Sequence, residues 1–185
     1  MPVIPEISLY PAVKDFLDIR FSQLRQPPSS ISLWRSELTP HLDIGLSGKW
    51  TRPDLAAVHV WRHRFGPVFN LDLHSFEVKR ADNCDEISVF EALAQARIVH
   101  FSHLVWHRPN PSNLTDRFES IKENCRAFGV GLITFTDHTD PHSFTVHGDV
   151  VAKRHDPDLR LVDRYIEAAF PTHLDTISSW LPTGP

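Results

Sequence analysis

Cysteine is scarce in this chain: Cys84 and Cys125 are the only two among 185 residues. Their wide separation matches no zinc knuckle. Two isolated thiols suit a reducing compartment, so a cytoplasmic protein with free cysteines is expected. Long hydrophobic runs are also missing, and no segment approaches the roughly 18 apolar residues of a membrane span. The opening MPVIPEISLYP places no basic stretch ahead of an apolar run and does not read as a signal peptide. Nor is there an excess of positive charge. A formal net charge of -4 excludes a protein that coats nucleic acid through a broad basic surface, while leaving room for an enzyme that touches a few phosphates. No GxSxG elbow and no glycine-rich phosphate loop occur, because Gly129-Val130-Gly131 is too short and too valine-flanked to cradle a phosphate.

The composition that remains is ordinarily globular, 41% hydrophobic and 23% charged. With no internal repeat and no dividing linker, residues 1–185 read as a single domain. Val13, Phe16, Leu17, Phe21 and Leu24 recur at helical spacing behind Pro11, predicting a first helix over about 11–25 that stops before Gln26-Pro27-Pro28. Ser30 to Arg35 predicts a short strand, and 39–51 a loop. Leu55 to Trp61 and Val68 to Lys79 predict two strands joined by a turn at Arg64-Phe65-Gly66-Pro67. Ile87, Phe90, Leu93, Ala94, Ile98 and Phe101 predict a helix over about 86–102. A strand at 104–106, a helix over 116–128 stopped by Gly129, and a strand over 131–135 follow. An edge strand within 143–151 and helices over 159–170 and near 173–181 complete the expectation. The order is an α/β arrangement: helix, three strands, helix, strand, helix, strand and a helical C-terminal tail.

Two short strings stand out against this order. Arg52-Pro53-Asp54 opens the first strand of the predicted hairpin, and Glu77-Val78-Lys79 closes its partner. Side chains alternate along a strand, so Glu77 and Lys79 share a face and Val78 takes the other. If the strands pair, Asp54 approaches Glu77. Two carboxylates can then share a hard divalent cation with a lysine beside them, the minimum equipment for metal-assisted phosphodiester hydrolysis. The segment 49–80 is also net positive inside an acidic protein. It holds Lys49, Arg52, Arg62, Arg64, Lys79 and Arg80 against Asp54, Asp72 and Glu77.

This order and these strings, over about residues 10–135, resemble the PD-(D/E)XK superfamily of restriction-endonuclease-like nucleases. The resemblance implies a restriction-endonuclease-like core with a mixed central sheet flanked by helices. It also implies that Asp54, Glu77 and the carbonyl of Val78 bind Mg²⁺ (with Mn²⁺ able to substitute), and that Lys79 orients or activates the attacking water. Gln95, within Ala92-Leu93-Ala94-Gln95-Ala96-Arg97, looks like the glutamine some branches carry beside the site, although position 99 is Val99 where tyrosine is frequent. A first-helix glutamate often joins such sites. Here Glu6 precedes the predicted helix, Asp15 and Asp18 lie within it, and none is a clear match.

The expected partner is therefore DNA, with Arg52, Arg62, Arg80 and Arg97 as candidate phosphate contacts. A homodimer through the C-terminal tail or the helix near residue 116 is expected, as is membership of a larger defence or repair complex, with no membrane attachment. The rival reading is a non-catalytic nucleic-acid-binding or protein-interaction module on the same fold, for which five tryptophans offer anchors. Twelve histidines suggest a zinc site, yet neither His100, His103 and His107 nor 137–142 has a spacing of real specificity.

Overall fold

A computed structural model describes residues 4–22, 30–42, 52–63, 69–112 and 115–181. Six strands form one sheet in sequential order: β1 (Ser30–Leu38), β2 (Leu55–His63), β3 (Phe69–Lys79), β4 (Phe101–His107), β5 (Gly131–Phe135) and β6 (Phe144–Val146). β1, β2 and β3 run antiparallel, β3, β4 and β5 run parallel, and β6 returns antiparallel at the edge. The parallel steps need crossovers, supplied by α2 (Glu86–Ala94) and α3 (Thr115–Phe128).

Each face of the sheet is sealed by its own helices. α1 (Tyr10–Ser22) follows a 3₁₀ turn over Glu6–Leu9 and lays Val13, Phe16 and Leu17 on Leu55, Ala57, Phe76, Val78, Val105 and Ile133. The opposite face carries α2 and α3, whose Val89, Ala92, Ile121 and Cys125 cover Leu104, Trp106 and Leu132. Beside them, α4 (Leu159–Ala169) and α5 (Leu174–Ser178) pack Val162, Tyr165, Ile166 and Ile177 on Ala56, Val58, Val60 and Leu73. The central strands are apolar on both faces for this reason. Glu77 stands beside Leu104 and Lys79 beside Trp106 in the β3–β4 ladder, so both belong to the α2 face, while Val78 belongs to the α1 face.

Local chemistry sets the ends of the elements. Asp85 caps α2 through the Ser88 N–H while the Ser88 hydroxyl oxygen accepts from the Asp85 N–H, a reciprocal capping box. Gly129, at φ 73°, closes α3 in the left-handed conformation that a side chain would strain.

Several boundaries differ from the sequence expectation, and two of them change an element's extent most. The helix expected over 86–102 ends at Ala94, tightens into a 3₁₀ turn over Gln95–Arg97, and gives way to β4 at Phe101. The helical stripe continued through Ile98 and Phe101 in the sequence, but the His100 N–H donates to the Leu73 carbonyl at 2.8 Å and brings the chain into the sheet. The edge strand within 143–151 shrinks to three residues. The turn at 64–67 and most of the 39–51 loop lie outside the described residues. Cys84 and Cys125 are free and buried. Among the described residues, no helix is long and apolar enough to cross a membrane.

Candidate functional site

The site forms where β2 begins and β3 ends. Leu55 pairs with Phe76, so continuing the register places Asp54 across from Glu77 and Pro53 across from Val78. Proline has no N–H to add to the ladder, and β2 opens only after it. The Thr39 hydroxyl donates to the Pro53 carbonyl at 2.8 Å and the Thr39 N–H to the Asp54 carbonyl at 2.9 Å, fixing the backbone on either side of the Pro53–Asp54 bond. The Asp54 side chain accepts from the Val78 N–H at 2.8 Å and from the Tyr10 hydroxyl at 2.6 Å. In an extended strand the N–H and C=O of one residue point to the same edge. The Val78 carbonyl therefore also turns toward Asp54, where Pro53 offers it no donor.

Glu77 and Lys79 project from the α2 face and bond each other at 2.8 Å; each side chain is about a tenth exposed. Glu91 of α2 holds the same ammonium at 2.7 Å. Gln95, fully buried, donates to the second Glu77 oxygen at 2.6 Å. It leaves its own Oε1 buried without a partner, and Glu6 Oε2 is in the same condition. A buried oxygen with no donor is expensive; among the described residues, Trp34 Nε1 and the Ser75 and Ser102 hydroxyls share that condition.

The electrostatics agree in direction. Burial raises the pKa of Asp54 despite the Tyr10 and Val78 donors, and the charge of Glu6 adds to it. Burial, then the charge of Asp54, raises Glu77 more than Lys79 lowers it. Burial alone would lower the Lys79 pKa, but the charge of Glu77 and bonds to Glu77 and Glu91 outweigh it, leaving the ammonium more firmly protonated than in water. Burial and the bond to Asp54 push the Tyr10 phenol upward. Four acids face one cation here, an excess of negative charge in a poorly hydrated place.

Of the sequence candidates, Asp54, Glu77, Val78, Lys79 and Gln95 are brought together. Glu6 joins them from the 3₁₀ turn before α1, with its charge acting on Asp54, Tyr10 and Lys79. Asp18 instead binds Lys14 at 2.7 Å and the Ser36 hydroxyl. The sequence offered these acids as equals, because nothing in it fixes which turn of the N-terminal helix approaches β3. Tyr10 and Glu91 were not foreseen. Glu91 lies four residues before Gln95, one helical turn away, which is the signal that could have found it.

The arginines divide. Arg52 is exposed two residues before Asp54, and Arg80 follows Lys79, paired to Asp82 at 2.8 Å. Arg97 is exposed two residues beyond Gln95. Arg62 lies eight residues along β2 from Asp54, about 26 Å at strand rise, with its guanidinium over the Phe69 ring. It is not brought to the site. His103 lies in β4 and His100 directly precedes it, beyond the end of α2. Among the described residues, no group of three or more His, Cys, Asp or Glu side chains is placed to hold a metal. No family model matches the chain, and no curated protein or solved structure matches it.

Proposed function

We propose that this chain is a metal-dependent nuclease that hydrolyses DNA phosphodiester bonds on a restriction-endonuclease-like core. The observation that carries the reading is the convergence of Asp54, Glu77, Lys79 and Gln95 at one end of the sheet, with a buried Gln95 oxygen left unpartnered. The residues fit a hard divalent ion: all candidate donors are oxygens, and the acids repel one another without it. Asp54, Glu77 and the Val78 carbonyl would hold Mg²⁺ or Mn²⁺. When bound, the ion supplies Lewis-acid polarisation of the phosphodiester.

The protein's own groups divide the remaining work. Gln95 and the Val78 N–H fix the orientation of the two carboxylates, and Tyr10 holds Asp54 from the α1 side. Lys79 stays cationic between Glu77 and Glu91, which suits it to stabilise developing negative charge and to orient a water; a firmly protonated ammonium is a poor base. Arg52, Arg80 and Arg97, each within two residues in sequence of Asp54, Lys79 or Gln95, are the candidate contacts for phosphates flanking the reacting one. A homodimer would give matched cuts on two strands. The apolar stripe of α4 is already packed on the sheet, whereas Ile87, Phe90 and Phe128 of α2 and α3 are exposed, with the two phenyl rings 5.0 Å apart. The α2–α3 face is the better dimer surface.

A panel of Mg²⁺, Mn²⁺, Ca²⁺ and chelator on linear, circular, branched and single-stranded DNA tests the reading, with Glu77→Gln beside wild type. Cleavage in Mg²⁺ or Mn²⁺ by wild type alone is expected. Equal cleavage by both proteins would assign the activity elsewhere.

A further inference from the structure

One strand over from the acids, the edge of the sheet carries a basic cluster. Arg108 follows the last residue of β4, and its N–H donates to the Phe135 carbonyl at 2.7 Å, extending the β4–β5 pairing by one residue. Strand alternation puts its side chain on the face of Leu104 and Trp106, which α3 covers. There the guanidinium carbon lies 4.0 Å from the centre of the Phe118 ring and 5.1 Å from that of Trp106. The Lys122 ammonium lies 5.9 Å from the same Phe118 ring, and the ring of His147, just after β6, lies 5.4 Å from it. The Thr134 hydroxyl fixes His147 at 2.9 Å.

The cluster lacks a counter-ion at its centre. Arg108 is 9% exposed, yet among the described residues no carboxylate pairs with it. Its Nη2 donates to the Pro111 carbonyl at 2.9 Å, its Nε is buried without a partner, and its Nη1, which is not buried, donates to nothing among the described residues. The acids nearby are committed or distant. Asp149 binds Lys122 at 2.9 Å and Arg126 at 2.7 Å, and the exposed Glu119 acts on Arg108 and His147 by its charge without an ion pair to either. A guanidinium taken out of water without an anion is costly, and its fork of donors matches the oxygens of a phosphate. Phe118, Lys122 and His147 are part-exposed, so the cluster opens to solvent beside α3. It lies at the carboxyl ends of parallel strands, where open α/β sheets take their ligands.

We propose that Arg108, Lys122 and His147 bind one phosphate group, and that this phosphate belongs to the strand whose scissile bond lies at Asp54 and Glu77. The source of the phosphate rests on the nuclease reading; the site itself does not. Lys79 pairs with Trp106 across the β3–β4 ladder, and Arg108 stands two residues further along. Standard strand spacing and rise then put the Cα atoms of Lys79 and Arg108 roughly 8 Å apart. A strand that crosses the end of β3 passes the end of β4 next. The contact is to backbone and carries no base preference. Bound phosphate also favours the imidazolium form of His147, whose pKa is lowered by burial first and then by the charge of Lys122.

The test is fluorescence anisotropy of an end-labelled DNA duplex with the full chain, Ca²⁺ replacing Mg²⁺, over a salt series. Arg108→Met keeps an apolar stem against Phe118 and Trp106 and removes the fork. It should bind about fivefold more weakly than wild type, with a log–log salt slope smaller by about one. Arg108→Lys should recover part of the loss. Lys122→Gln should weaken binding by a smaller factor, and it decides the matter if thermal melting shows that the Arg108 variants do not fold. Affinity and slope equal to wild type in the deciding variant, or no DNA binding by wild type, would overturn the proposal. Orthophosphate titrated into wild type identifies the source. The His147 imidazole resonances, assigned with His147→Gln, should report a raised pKa in wild type and none in Arg108→Met. That shift beside unchanged DNA binding would overturn the strand as the source and leave the site to a free phosphate compound; no shift would remove His147 from the site. Cleavage in Mg²⁺ is read separately. Arg108-dependent binding without cleavage removes the nuclease reading and keeps the phosphate site, and cleavage without that dependence does the reverse.

Discussion

At its C-terminal end β3 carries the buried Glu77 beside Asp54, and a few residues earlier it carries the part-buried His74 beside His103 and His100. The His74 and His103 ring nitrogens lie 3.2 Å apart, within hydrogen-bonding distance. His74 stacks on Phe101 at 4.8 Å and His103 on Phe76 at 4.7 Å, and the His100 ring nitrogen accepts from the Leu73 N–H at 3.0 Å. Burial lowers the pKa of all three, that of His103 to about 4, so the rings stay neutral and serve one another. At the strand's end the reverse holds. Asp54 and Glu77 repel each other, Lys79 is shared by two acids, and oxygens of Gln95 and Glu6 find no donor. The neutral rings need no counter-ion, whereas like charges held close in a buried place stay there only at a cost, and on that difference the proposed cation site rests.

The largest effect that separates the two regions is on cleavage. Lys79→Ala should reduce single-turnover cleavage by about a thousand-fold, the scale of losing one charge-stabilising donor, while DNA affinity changes little. His103→Leu should alter stability and leave cleavage by the folded protein near wild type. If rates for the two variants fell together, the contrast between site and architecture would collapse.

Next in size is a packing effect confined to the histidine region. A Cβ on Gly131 would sit 2.4 Å from the His103 ring nitrogen, so the ring or the strand must move. Gly131→Ala should destabilise by about 1–3 kcal/mol, read by chemical denaturation. An unchanged midpoint would show that β4 and β5 yield more easily than this packing implies.

The two regions also pull stability in opposite directions with pH. A histidine whose folded pKa lies below the unfolded 6.5 binds its proton first in the unfolded state, so His103 makes stability fall as pH drops from about 6.5 toward 4. Asp54 and Glu77 have folded pKa values above their ordinary ones. The unfolded state loses those protons first, so they make the metal-free protein less stable as pH rises through the carboxylate range toward neutrality. Glu77→Gln should raise the metal-free melting temperature at pH 7.5 by a few degrees and leave the acid limb intact. His103→Leu should flatten the acid limb. Identical profiles for the two variants would contradict the division.

The antiparallel hairpin, the helix–strand order and the approach of Asp54 to Glu77 and Lys79 were legible in the sequence, because strand alternation fixes which side chains share that end of the sheet, whereas Gln95 came only from the family resemblance. The point where α2 yields to β4 was not. Ile98 and Phe101 fit a helical stripe and a strand equally well, and the deciding bond, from His100 to Leu73, is long-range. The choice of Glu6 over Asp15 or Asp18 was hidden for the same reason, since it depends on how α1 lies across the sheet. The placement of Arg62 fails on simple geometry: eight strand residues carry it away from Asp54. The smallest effect follows from that. Arg62→Ala should weaken DNA binding less than twofold, against a larger and salt-dependent loss for Arg52→Ala or Arg80→Ala.

The central claim is that a hard divalent cation sits between Asp54 and Glu77. Calorimetric titration of Mn²⁺ into metal-free protein, wild type beside Glu77→Gln, tests it most directly. A saturable site in wild type, with a higher melting temperature on filling and at least tenfold weaker binding in the variant, is the predicted result. Equal Mn²⁺ binding by both proteins, or none by wild type up to millimolar ion, would contradict it.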